Sequence, residues 1–228
     1  MRILSIDIDY IIEDFDNEKL DSELRPWFDR TRDAWQYWWM VLQKGEQFSQ
    51  KYNKGNFEFI ERVFINALRG KPRVIFGTDH DDIFHHIGDA TELEIVNIDA
   101  HHDLVQDHDK FHEGSWGWYL WPRVRNWTWV KNKAPDGGGS KLTKDPVDPK
   151  LTIIKKHQWE EEATTDFGDF QPDFIYVCLS VDYLDPKFWW AYGKLRQHYR
   201  KHLSEHLPPA KPLYRSWDKE MQDEETKN

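Results

Sequence analysis

Apolar and polar positions recur along this chain with two different periods, and the switching between them sketches a fold. Residues 2–9, Arg-Ile-Leu-Ser-Ile-Asp-Ile-Asp, alternate every second position and read as a first strand. Ile6 and Ile8 fall on one face, Asp7 and Asp9 on the other. That pattern suits either a half-exposed edge strand or a strand whose end lines an active site. Residues 27–52 follow Pro26 and set Trp35, Trp38, Trp39 and Leu42 at helical spacing, as a packing face. Residues 56–69 predict a second helix, with Phe57, Ile60, Val63, Phe64, Ala67 and Leu68 as its apolar stripe and Gly70 and Pro72 as its stop. Arg73 to Gly77 reads as a short buried strand opening into Thr78-Asp79-His80-Asp81-Asp82. A helical Ile83 to Ile87 follows, where His85 and His86 ride without a ligand role.

Glu94 to Asp99 is the next strand, Asn126 to Lys131 another, and Leu151 to Lys155 a short one. Pro172 to Asp182 is almost continuously apolar, as central strands of parallel sheets are. A helix is expected from Lys187 to about His206. Residues 131–150, rich in Gly and Pro, read as a mobile surface loop, and the charged 208–228 as a frayed tail. Strands alternating with helices, with no internal repeat, predict an α/β protein: one domain over 1–228, a three-layer α/β/α sandwich on a mainly parallel sheet.

Composition narrows the function classes. Thirteen Trp, 13 Phe and 9 Tyr supply enough apolar area for a sizeable core in 228 residues. A net charge of -10 argues against nonspecific binding to nucleic acid or anionic membrane and suits a basic partner, such as an arginine- or lysine-bearing substrate. Cys178 is the only cysteine, so no intrachain disulfide forms, and its apolar setting marks a small buried residue rather than a nucleophile. No apolar run reaches the length of a membrane span, and the N-terminus lacks signal-peptide character, so a cytoplasmic location is expected.

The chemistry gathers where apolar strands run out. His80 follows one, Asp99, His101 and Asp103 another, Asp182 a third. If the chain stays extended to Asp103, Asp99, His101 and Asp103 share a face. Taken singly, each group is as readily a solvated polar cluster. In a parallel sheet, however, the strand ends meet on one edge, where open α/β sheets bind ligands. Carboxylates with imidazoles form a donor set suited to Mn²⁺, Fe²⁺ or Zn²⁺.

Three motifs add a resemblance. Gly77-Thr78-Asp79-His80 is similar to G-G-D-H, Asp99-Ala100-His101-His102-Asp103 matches D-A-H-x-D, and Ser180 to Pro186 looks like the end of S-x-D-x-D-x-x-D-P. In this order and spacing they resemble the arginase/deacetylase superfamily. Ile6-Asp7-Ile8-Asp9-Tyr10, Glu113-Gly114-Ser115-Trp116-Gly117 and the short length look more like a branch containing peptide arginases, which convert arginine residues of ribosomally made precursor peptides to ornithine.

The resemblance implies that fold and hydrolysis of a peptide guanidinium to an ornithine side chain and urea. It makes His80, Asp99, His101, Asp103 and Asp182 ligands of one or two Mn²⁺ ions, with Zn²⁺ or Fe²⁺ as alternatives. His112 would hand a proton to the departing amine, Glu113, Asp9 or Asp81 would hold the guanidinium, and Asp185 would be a structural acid before the proline. One position departs. The carboxylate that bridges both metals in arginases falls at Ser180, which leaves three carboxylates where four would balance two divalent ions. Either Asp7, Asp9, Asp79 or Asp81 supplies the fourth, or one metal remains, as in deacetylase relatives. A metal-dependent amide hydrolase and a non-catalytic, peptide-binding member are the competing readings. A phosphohydrolase built on Asp7 and Asp9 would leave the other motifs without a role.

Overall fold

The computed structural model describes residues 1–12, 51–104, 115–132, 150–155, 170–181, 184 and 186–206. Six strands among them hydrogen-bond in parallel: β1 (Arg2–Asp7), β2 (Arg73–Gly77), β3 (Leu93–Asp99), β4 (Val124–Lys131), β5 (Leu151–Lys155) and β6 (Phe174–Cys178). Their order is β2-β6-β1-β3-β4-β5. The α/β class is as expected. β1 is no edge strand: it lies between β6 and β3, with Ile3, Leu4, Ser5 and Ile6 wholly buried.

Helices cover both faces, because the strands are apolar on both. On one face lie α1 (Lys54–Leu68) and α4 (Trp190–His206). Asn53 caps α1 by accepting the Asn56 N–H at 3.0 Å. The stripe of α1, Phe57, Ile60, Val63, Phe64, Ala67 and Leu68, packs in one cluster with Leu4, Ile6, Val96, Ile98, Ile175 and Val177 of the sheet and Leu195 of α4. The opposite face carries α2 (Ile83–Ile87) and α3 (Trp116–Leu120), whose Ile83, Ile87, Trp116 and Leu120 cluster with Ile3, Ile95, Trp127, Phe174 and Tyr176. Among the described residues no helix is long and apolar enough to cross a membrane.

Several boundaries move for local reasons. β1 stops at Asp7, not Asp9, because the Asp7 carboxylate accepts the Asp9 N–H at 3.0 Å and winds Ile8–Ile11 into a 3-10 turn. The helix expected over 27–52 lies almost wholly outside the described residues, as 13–50 do; at its expected end Tyr52 is not helical and bridges Ile12 antiparallel. β6 ends at Cys178, since Ser180 has φ 50° and leaves the extended region. The helix expected from Lys187 begins as a 3-10 turn, Pro186–Phe188, and becomes α-helical at Trp190. Most of the loop 131–150 and the tail 208–228 fall outside the described residues.

One polar contact ties α1 to α4. Glu61 meets Lys194 at 2.9 Å and His198 at 2.7 Å. Partial burial raises the Glu61 pKa, but the hydrogen bonds and charge interactions from Lys194 and His198 outweigh it and hold the carboxyl below its ordinary value of 4.5. A depressed pKa means stability that is present above the ordinary value and lost as pH falls through the folded one. Glu61→Gln should therefore lower stability by about 0.5–1 kcal/mol at pH 7. The difference from wild type should shrink as pH falls below 4.5 and through the lower folded pKa, as read by urea unfolding across that range.

Candidate metal centre

The centre forms on one edge because the sheet is parallel and its side chains alternate. Asp7 and Asp99 end two neighbouring strands in register, Ile6 opposite Ile98, and so stand side by side on the α2/α3 face. Asp99 turns the chain by accepting the His101 N–H at 2.7 Å. Asp103 then takes a left-handed conformation, φ 54°, and returns its carboxylate to the cluster. The expectation of one extended run from Asp99 to Asp103 is thus replaced by two turns. These three residues converge through the turns, not by sharing a strand face. Gly117 permits the turn to close. Its N–H donates to Asp103 O at 3.0 Å, and a Cβ there would stand 2.8 Å from that oxygen and overlap the Trp127 ring.

His80 enters from the turn after β2. It is 1% exposed, and its Nδ1 faces three carboxylate oxygens: Asp7 Oδ2 at 3.1 Å, Asp99 Oδ2 at 3.2 Å and Asp103 Oδ2 at 3.1 Å. A second group lies beside it. His101 Nδ1 is 2.9 Å from Asp9 Oδ2 and 3.7 Å from Asp99 Oδ1. Asp99 therefore turns one oxygen to each imidazole. Within each of the sets His80/Asp99/Asp103 and Asp9/Asp99/His101, the candidate ligand atoms lie within 4.8 Å of one another. Cys178 Sγ also lies within 4.8 Å of ligand atoms of Asp7 and His80; its thiol donates to Thr78 O at 3.5 Å and accepts the Ser180 N–H at 3.3 Å.

The sequence candidates divide accordingly. His80, Asp99, His101 and Asp103 come together. Asp9, read as a guanidinium holder, sits wholly buried against His101, while Asp81 is half-buried on the 3-10 turn His80–Asp82. Asp182, His112, Glu113 and Asp185 lie outside the described residues. Ser180 is buried and donates its hydroxyl to Asp7 Oδ2 at 2.5 Å. His102, buried, accepts the Leu104 N–H at 2.9 Å and packs edge-on against Trp129, apart from the cluster. Sequence reasoning assigns Asn97 no role, and Trp116 none beyond its place in the Glu113–Gly117 turn. Asn97 Nδ2 donates to Asp99 Oδ2 at 3.3 Å and Asp103 Oδ2 at 3.2 Å, and Trp116 Nε1 to Asp103 Oδ2 at 2.7 Å. The available signal for Asn97 was a buried polar residue two places before Asp99, hence on its face.

The chain matches no protein-family model, no curated protein and no solved structure.

Four buried carboxylates, those of Asp7, Asp9, Asp99 and Asp103, face two imidazoles. Burial and the neighbouring charges of Asp7 and Asp99 push Asp9 up to about 8. Burial, with Asp103 and Asp7, pushes Asp99 well above the usual carboxylate range. Asp7 goes the other way: burial raises it, but the His80 imidazole and the Ser180 hydroxyl outweigh that and hold it down. Burial would lower both histidines; the facing aspartates instead raise His80 well above its ordinary value and His101 to about 10. Protons thus offset a negative charge that a divalent cation would offset better. Oxygen donors with two imidazoles and no free thiolate fit Mn²⁺, Fe²⁺ or Zn²⁺.

Proton displacement gives the test. With His101 raised to about 10, the stability its charged form contributes is complete below 6.5 and is lost as pH rises towards 10. Asp9, raised to about 8, also costs stability as pH climbs from 3.8 to 8, since only the unfolded chain ionises freely there. The Tm in chelator should fall from pH 6 to pH 9, while the increment given by Mn²⁺ grows. Calorimetry in two buffers of different ionisation enthalpy at pH 7 should detect protons released per ion bound. A pH-independent increment without proton release would contradict this account.

Proposed function

We propose that this chain is a manganese-dependent hydrolase of the arginase type, acting on the guanidinium of arginine residues in a peptide to give ornithine residues and urea. The observation that carries the reading is the convergence of three carboxylates within 3.2 Å of His80 Nδ1 on the C-terminal edge of a parallel sheet. The motif resemblance at 77–80, 99–103 and 180–186 supplies the reaction class, and the net charge of -10 suits a cationic substrate.

Asp7 offers a carboxylate for the departure at Ser180. It ends the strand next to β6, pairs in register with Cys178 and accepts the Ser180 hydroxyl. In this reading Asp7 supplies the carboxylate that Ser180 does not, and Ser180 orients it. Asp7, His80, Asp99 and Asp103 would hold one ion, and Asp9, Asp99 and His101 a second. Four carboxylates then balance two divalent charges. This favours two ions over a deacetylase-like single one, and gives Ser180 a positioning role rather than marking lost catalysis.

Bound divalent ions supply Lewis acidity that makes water a nucleophile near neutral pH. The protein's own part is to fix the donors. Asp9, buried against His101, acts with the metal ligands and not as an open clamp for the substrate. Asp81 and Glu113 remain the acids assigned to the guanidinium, and His112 the donor of a proton to the departing amine. Water adds at the guanidinium carbon, the bond to the side-chain nitrogen breaks, and that nitrogen takes the proton.

The test combines metal and product. Two Mn²⁺ per chain should be retained after desalting, and an arginine peptide should lose CH₂N₂ by mass while urea accumulates. Asp7→Asn should cost on the order of a hundredfold in turnover or more, with loss of one ion. Wild-type protein that binds no divalent metal, or that leaves arginine peptides intact with Mn²⁺ bound, would refute the proposal.

A further inference from the structure

One step below the ligand edge, four residues stand side by side across four neighbouring strands. The registers align Tyr176 of β6 with Ser5 of β1, Ser5 with Asn97 of β3, and Asn97 with Trp129 of β4. All four are buried. Each sends a polar tip upward to a different part of the centre. Tyr176 Oη donates to the carbonyl of Asp79, the residue before His80, at 2.6 Å. Ser5 Oγ meets His80 Nε2 at 2.6 Å. Asn97 Nδ2 donates to Asp99 and Asp103, and Trp129 Nε1 donates to Asp99 O at 3.0 Å.

The positions are costly unless they serve this purpose. A serine and an asparagine occupy the middle of a sheet core otherwise built of Ile, Leu, Val and aromatics. Unpaired, each would lose hydration without return. The backbone is adapted to the row as well: a Cβ on Gly77 would overlap the Tyr176 phenol, so β2 must present glycine for that ring to reach Asp79. Burial pushes the Tyr176 phenol far up, which keeps it a donor at any physiological pH. With Ser5 on Nε2, Nδ1 of His80 faces the three carboxylates and is the nitrogen that would meet a cation held among them.

We infer that the transverse row Tyr176–Ser5–Asn97–Trp129 is a positioning layer that sets the divalent-metal affinity of the centre, each member fixing one or two ligands or the turn that carries one. All four are neutral, so they orient the carboxylates and the imidazole without adding to or cancelling their charge. Rotation of His80 is blocked by Ser5, its turn is held by Tyr176, and the two carboxylates of β3 and its loop are tied together by Asn97. The proposal rests on the metal reading above and goes beyond it by naming what makes the donors converge.

Ser5→Ala and Tyr176→Phe each remove one oxygen and little volume. The full-length variants are titrated with Mn²⁺ by calorimetry, and their melting is followed with and without Mn²⁺. The expected result is Mn²⁺ affinity lower by about ten- to hundredfold in each, with a Mn²⁺-induced rise in Tm smaller than in wild type, over and above the fall in chelator Tm that the unpaired His80 Nε2 or Asp79 carbonyl brings. A purely structural row would lower the Tm in chelator while leaving affinity and increment intact; that outcome, or wild-type affinity in both variants, overturns the inference with the metal reading still standing. Wild-type protein that binds no Mn²⁺ overturns both.

Discussion

Mutual repulsion among the carboxylates of Asp7, Asp9, Asp99 and Asp103 is what the structure has to contain. All four are buried, and two imidazoles are the cations facing them among the described residues. Charges taken out of water at such spacing are sustained only when each is met by a cation, a proton or a hydrogen-bond donor. The core's departures from apolar packing answer this need. Hydroxyl, amide and indole donors from Ser180, Asn97 and Trp116 all point at carboxylate oxygens. The centre is satisfied by protons on its histidines or, in the proposed state, by divalent ions.

The parallel sheet makes the concentration possible. Every strand delivers its last residue to one edge, and period two decides which face it takes. Asp7 and Asp99 follow from the pairing of β1 with β3. The remaining donors need turns: left-handed backbone at Asp103 and Ser180, and the 3-10 turn after Asp7 that places Asp9. Left-handed φ at a non-glycine residue costs on the order of 1 kcal/mol and persists only where surrounding contacts hold it. Asp103 has such contacts in Trp116, Asn97 and Gly117.

Much of this was legible in the residue pattern, and the rest was hidden for definite reasons. The apolar stripe of α1 and the runs at β2, β3 and β6 declare themselves, because each repeats with the period of its element. His80, Asp99, His101 and Asp103 could be placed on one edge by the rule for parallel strands. The role of Asp7 could not, since it depends on β1 lying between β6 and β3. Sheet order is set by crossovers, which leave no local trace in a strand. The turn at Asp7 was misread as strand because Ile8 and Asp9 continue the alternation, while the hydrogen bond that ends it comes from a side chain. Ser5 and Asn97 were visible as polar interruptions of apolar runs, and only the register between them gives them a common task.

The bond between Ser180 and Asp7 spans 173 residues, and the one from Tyr176 to the turn of His80 spans 97. β1 precedes β6 in the chain and must wait for it before its second neighbour exists. The centre therefore cannot be completed on a partly made chain, whatever order the other strands follow. Its geometry is a late product of folding, dominated by distant pairings of the kind that slow the search for the native state. A cation would find the His80 set of ligands in place only in chains where β1 and β6 have already met, because β6 stands between β1 and β2, the strand that leads into His80.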